Sequence, residues 1–165
     1  MTTAATGGVL VIGYGNGLRS DDGVGPAVAA RLAGDSRLAG DPRLAGADVR
    51  VVHQLTPELA LDASRVSLLV LVDASADAPA GEVVVTRLDP EGEPGEAGGA
   101  MTHHLDPAGL VGLERELWGV APPVVVVSVG IASLEAGERL TPTVEAAVPR
   151  AVDAVAAIIE RHARA

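Results

Sequence analysis

The chain has 165 residues and a formal net charge of -10, with hydrophobic residues at 48%, aromatic residues at 1% and no cysteine. A domain of this length buries enough apolar surface to stand without a metal or disulfide staple. The charge argues against nucleic acid and anionic membrane as partners, since both need a basic face, and the absence of Cys removes disulfides, thiolate nucleophiles and soft metal ligation together.

With Tyr14 and Trp118 the sole aromatic residues, the core must be built from Val, Ala and Leu. Met1 to Gly8 lacks a basic n-region, and the apolar run that follows is too short for a signal h-region or a membrane span. A cytoplasmic location is expected.

Val9 to Ile12 is apolar throughout, the mark of a strand covered on both faces. It feeds a glycine-rich turn, Gly13 to Pro26, with adjacent carboxylates at Asp21 and Asp22. A helix with Pro26 at its first position and Gly25 as its cap is expected next. Three near-copies of one hexad begin at Arg31, Arg37 and Arg43. A period of six fits neither helix nor strand, and the copies fall below the roughly 20 to 50 residues of a solenoid repeat, so residues 31–48 read as an inserted surface loop.

Asp48 to His53 predicts a second strand, and Thr56-Pro57-Glu58 opens a helix with Thr56 as N-cap. Ser67 to Val72 is another doubly covered strand, ending in Asp73. Gly81 to Leu88 interleaves polar residues and reads as an edge strand. The acidic Gly/Pro-rich stretch 89–100 predicts a mobile flap, with His103 and His104 directly after it.

Asp106 caps a helix whose Leu110, Leu113 and Leu117 share a face and which Gly119 ends. Pro123 to Val129 is the most apolar run, hence a central strand. Thr141-Pro142 opens the last helix, with Val144, Val148, Val152, Val155 and Ile159 on one stripe and Pro149 bending it or delaying its start. Strands alternating with helices give a three-layer α/β/α sandwich in a single domain.

The candidate site residues are Asp22, Asp73 and one of the two adjacent histidines. With Pro26 opening the helix, Asp22 stands outside it with no local task; the competing account makes it a favourable charge at a helix N-terminus. Asp21 is better explained as a loop anchor. Asp73 sits at the carboxyl edge of a buried strand, where an unpaired carboxylate is costly to desolvate. Right-handed crossovers bring consecutive parallel strands together, which lets Asp22 and Asp73 share a crevice.

Two carboxylates and an imidazole suit nickel or zinc with open coordination positions. His53, at a strand end, and His162, in the tail, read as surface residues, and Asp106 is accounted for as a cap. Gly13, Gly15 and Gly17 do not make a dinucleotide fingerprint, because Leu18 stands where its third glycine belongs. A P-loop is excluded by the lack of Gly-Lys-Ser/Thr.

The pattern G-x-G-N-x-L-x-x-D-D-G-x-G at Gly13 to Gly25, Val-Asp-Ala at Val72 to Ala74, Thr102 to Pro107, and the segment from Val129 to Glu145 resemble the [NiFe]-hydrogenase maturation endopeptidases. The resemblance spans nearly the whole chain outside the hexads and the flap, and His53-Gln-Leu-Thr-Pro-Glu-Leu is similar to the branch serving uptake or bidirectional hydrogenases. It implies a phosphorylase/hydrolase-like three-layer fold whose mixed five-stranded sheet has one antiparallel strand, at Gly81 to Leu88.

It also implies an aspartic-type or metal-dependent peptidase that removes the C-terminal extension of the hydrogenase large-subunit precursor once nickel is installed. The metal contacts would be Asp22, Asp73 and His103, with His104 beside the last, and the nickel would be carried by the substrate protein. Where the family has Glu/Gln-Pro after Val-Gly-Ile, this chain has Ala132-Ser133. The partner expected is the large-subunit precursor, the state a monomer, and the alternative function a nickel-dependent chaperone or sensor that does not cut.

Overall fold

A computed structural model describes residues 7–42, 44–88 and 105–165. Strand β1 (Val9–Tyr14) leads through a 3₁₀ turn (Ser20–Gly23) into helix α1 (Val24–Ala33), followed by the short α2 (Ser36–Gly40). Then come β2 (Ala47–Val52), α3 (Pro57–Ala63), β3 (Leu68–Ser75), β4 (Val83–Leu88), α4 (Pro107–Trp118), β5 (Val124–Gly130) and α5 (Pro142–Arg164). The strands form one sheet in the order β2-β1-β3-β5-β4, parallel except for β4, which pairs antiparallel with β5 at the edge. The flap expected at 89–100, and His103 and His104, lie outside the described residues. Among the described residues no helix is long and apolar enough to cross a membrane.

Two apolar layers hold the sheet. On one face Val11, Val70 and Val127 pack against Val28 of α1 and Val148, Val152 and Val155 of α5. On the other, Leu10, Ile12, Leu69 and Leu71 meet Leu59 of α3 and Leu110 of α4. Each buried Val or Leu contributes about 1.5–3 kcal/mol, so a core almost without aromatics is held by many medium-sized side chains. The expected stripe on α5 is buried throughout. Pro149 does not delay that helix, which starts at Pro142. Pro149 and Glu145, whose carbonyl the proline leaves without its helical donor, are both exposed residues.

Four expectations need correction. Helix α1 begins at Val24 with Gly23 as N-cap, not at Pro26 with Gly25. The 3₁₀ turn starts the coil earlier, and Pro26 is tolerated inside the first turn because its missing N–H would have had no helical partner there. Asp73 does not end its strand, since pairing of Ala74 with Val129 and Ser75 with Gly130 carries β3 two residues further. Residues 31–48 are not simply a surface loop: Arg31 to Ala33 complete α1, Ser36–Gly40 is helical, and Leu32 and Leu44 are fully buried. On α4 the buried face is Leu110, Val111 and Glu114, while Leu117, in the last turn, is 57% exposed.

Glu114 has no exposed surface, and neither carboxyl oxygen has a hydrogen-bond partner among the described residues. Burial pushes its carboxyl up to about 8. A carboxyl whose folded value is raised stabilises fully below its unfolded value near 4.5 and loses that contribution as pH rises toward 8. Glu114→Leu should therefore be more stable than wild type at pH 8 by on the order of a few kcal/mol, with the gain shrinking toward pH 5. Denaturant midpoints of both proteins at the two pH values check this, and a pH-independent difference would count against it.

Candidate functional site

The face of the sheet that packs on α3 and α4 changes character along its length. In β1 that face carries Leu10, Ile12 and Tyr14; in β3, Leu69, Leu71 and Asp73; in β5, Val124, Val126 and Ser128. The register aligns Ile12 with Leu71 and Leu71 with Val126, then Asp73 with Ser128. Two apolar rows are thus followed by a polar row at the carboxyl ends of the parallel strands, the place where open α/β sheets bind ligands.

The chain leaves β1 through Gly15, whose φ of +149 and lack of a Cβ are both required, because a Cβ there would collide with the Asp22 carbonyl. A Cβ at Gly25 would likewise run into the carbonyls of Tyr14 and Val72, so its absence lets α1 start directly over the ends of β1 and β3. The turn closes on itself where the Asn16 backbone N–H donates to Asp22 Oδ2 at 2.7 Å. Asp22 therefore has a local structural bond after all.

A cleft of about 320 Å³ opens beside this turn, and its lining includes Tyr14, Asn16, Arg19, Asp22, His53, Gln54, Leu55, Asp73 and Leu105. Asp22 and Asp73 thus share one cleft. Tyr14 Oη donates to Asp73 Oδ2 at 2.8 Å. Burial raises the Asp73 carboxyl above its ordinary value, only partly offset by the bonds from Tyr14 and the Ala74 N–H, and the Asp22 charge adds to the rise. Burial first, then the charge and hydrogen bond of Asp73, push the Tyr14 phenol far up, so it remains a neutral donor.

Asp21 points the other way. It is fully buried and accepts from the N–H groups of Ala132 at 2.9 Å, Ser133 at 3.0 Å and Thr141 at 2.7 Å, and from Thr141 Oγ1. Burial raises its carboxyl, but these donors outweigh that and hold it below its ordinary value. The neighbouring Ser20 adds bonds from its N–H to the Gly137 carbonyl and from its hydroxyl to the Glu135 carbonyl, each 2.8 Å. Asp21 is the anchor of the turn, and Ala132-Ser133 contribute their backbone to it.

Tyr14, Arg19, His53 and Gln54 were not among the site residues expected from sequence. His53 is exposed, as expected, yet it stands on the cleft wall directly after β2; the strand-end argument applied to Asp73 also points to it. His162, in the tail helix, lies far from the cleft in sequence and bonds Ser67 Oγ at 2.8 Å. Among the described residues no group of three or more His, Asp and Glu is placed to hold a metal ion. The two cleft carboxylates are hard oxygen donors that fit part of a site for a borderline cation.

No family model matches the sequence, and no curated protein matches it significantly. Solved structures do. The hydrogenase 2 maturation peptidase from Thaumarchaeota archaeon SCGC_AB-539-E09 is 25% identical, with 92% of this chain and 97% of that chain covered and a TM-score of 0.66. An endopeptidase from Escherichia coli is 26% identical, with 94% and 93% covered and a TM-score of 0.71. The hydrogenase maturating endopeptidase HybD from E. coli, at 22% identity, 94% and 93% coverage and a TM-score of 0.68, shares the fold.

Proposed function

We propose that this chain, which belongs with the hydrogenase maturation peptidases, is an endopeptidase that removes the C-terminal extension of a [NiFe]-hydrogenase large-subunit precursor after nickel insertion. The observation that carries this reading is the placement of Asp22 and Asp73 on one cleft at the carboxyl ends of the strands, in a fold shared with a hydrogenase 2 maturation peptidase.

The nickel belongs to the substrate, held by the precursor's own thiolates. Asp22, Asp73 and His103 are the residues that would contact it, so that cleavage waits for correct loading; bound there, it polarises the scissile carbonyl. Water adds to that carbonyl, one of the cleft carboxylates accepts its proton, and the proton passes to the amide nitrogen as the C–N bond breaks. The products are a new C-terminal carboxylate on the large subunit and the free amino terminus of the released peptide.

The test is to incubate the protein with nickel-loaded and nickel-free precursor and follow the C-terminus by mass spectrometry. Loss of a C-terminal peptide from the loaded form alone is expected. If neither form is shortened, the peptidase reading fails and a non-cutting, nickel-dependent chaperone or sensor takes its place.

A further inference from the structure

We propose that Tyr14 is a positioning residue for Asp73, occupying one carboxylate oxygen so that the other is presented to the cleft in a fixed direction. The inference rests on the peptidase reading above and extends it to a residue outside the carboxylate and histidine set.

Tyr14 is the single tyrosine of the chain. It ends β1 one residue beyond the pairing of Gly13 with Val72, so the register places it beside Asp73 on the same face of the sheet. Its ring packs partly buried against the apolar layer of Leu10, Ile12 and Leu71, and its hydroxyl reaches Asp73 Oδ2 at 2.8 Å. The last torsion of a carboxylate is broad and roughly two-fold, and at Asp73 the Tyr14 hydroxyl restrains it together with the Ala74 N–H. A phenol does so without bringing a charge and without competing as an acidic ligand. Asp73 then offers a cation a single oxygen rather than a chelating pair. Hydrogen bonds of this kind to ligating carboxylates typically change metal affinity by about 10–100-fold when removed.

The experiment compares wild type, Tyr14→Phe, Asp73→Asn and the double variant by calorimetric titration with nickel ions, and by kcat and KM on nickel-loaded precursor. Tyr14→Phe keeps the ring and its packing, so its thermal midpoint should stay near that of wild type. Nickel affinity and kcat are each expected to fall about 10-fold or more, and KM for the loaded precursor to rise, because the weakened contact is to the metal that the substrate carries. In the Asp73→Asn background the same substitution should add nothing, because its effect passes through Asp73.

Wild-type affinity and kcat in Tyr14→Phe, or equal losses in both backgrounds, overturn the positioning role while leaving the peptidase reading in place. If wild type cleaves without measurable affinity for free nickel, the kcat comparison decides in the same sense. A wild type that neither binds nickel nor shortens the precursor overturns both.

Discussion

Replacing Asp22 or Asp73 by asparagine is expected to slow precursor cleavage by about a thousandfold or more, with thermal midpoints within a few degrees of wild type. Asparagine keeps the shape of the side chain. At residue 22 its amide oxygen can still accept from the Asn16 N–H, and at residue 73 from the Tyr14 hydroxyl. What disappears is the negative charge facing the cleft, and with it both cation contact and proton acceptance. Initial rates by mass spectrometry on nickel-loaded precursor, paired with thermal melts, separate loss of chemistry from loss of fold. Rates within tenfold of wild type for both variants would remove these carboxylates from the mechanism.

Asp21→Ala should do the opposite, acting on the fold first. The substitution leaves the N–H groups of Ala132, Ser133 and Thr141 without their acceptor at a fully buried position. At about 1–3 kcal/mol per orphaned donor, a loss of about 3 kcal/mol or more is expected, or roughly 6 to 12 °C in thermal midpoint for a chain of this size. The sign of its pH dependence follows from the lowered carboxyl. The bonds of Asp21 contribute fully above its unfolded value near 4, and that contribution fades as pH falls through the lower folded value. Wild-type and variant midpoints should converge in acid, and a gap that stays constant down to pH 2.5 would argue against the carboxylate as the source.

Much of this arrangement is legible in the residues, and the failures have physical causes. Doubly covered strands announce themselves by unbroken apolar runs, and Asp106 with Gly119 brackets α4 by ordinary capping chemistry: its carboxylate accepts from the Gly109 N–H at 2.6 Å, and Gly119 takes a φ of +74. Asp21 as an anchor follows from the difficulty of giving two adjacent carboxylates the same task. The bond between Tyr14 and Asp73 does not follow, because it depends on the register between β1 and β3, which the chain sets only when the strands pair. The length of β3 fails for the same reason, its end being decided by β5. Glu114 defeats a periodicity argument outright, since a charged residue occupies the slot that the apolar pattern of α4 gives to a hydrophobic one.

The Asp21 anchor also has a consequence for the order in which the molecule is made. Its bonds to Ala132, Ser133 and Thr141 join residues 111 to 120 positions apart in the chain. Contacts this distant form only after a long loop has closed, and they are among the slow events of folding. A chain still being synthesised holds Asp22, Asp73 and the glycine turn long before Thr141 emerges to fix that turn. The cleft therefore takes its final form late, once β5 and the start of α5 have docked, and a truncated or nascent chain carries the ingredients of the site without the clasp that aims them.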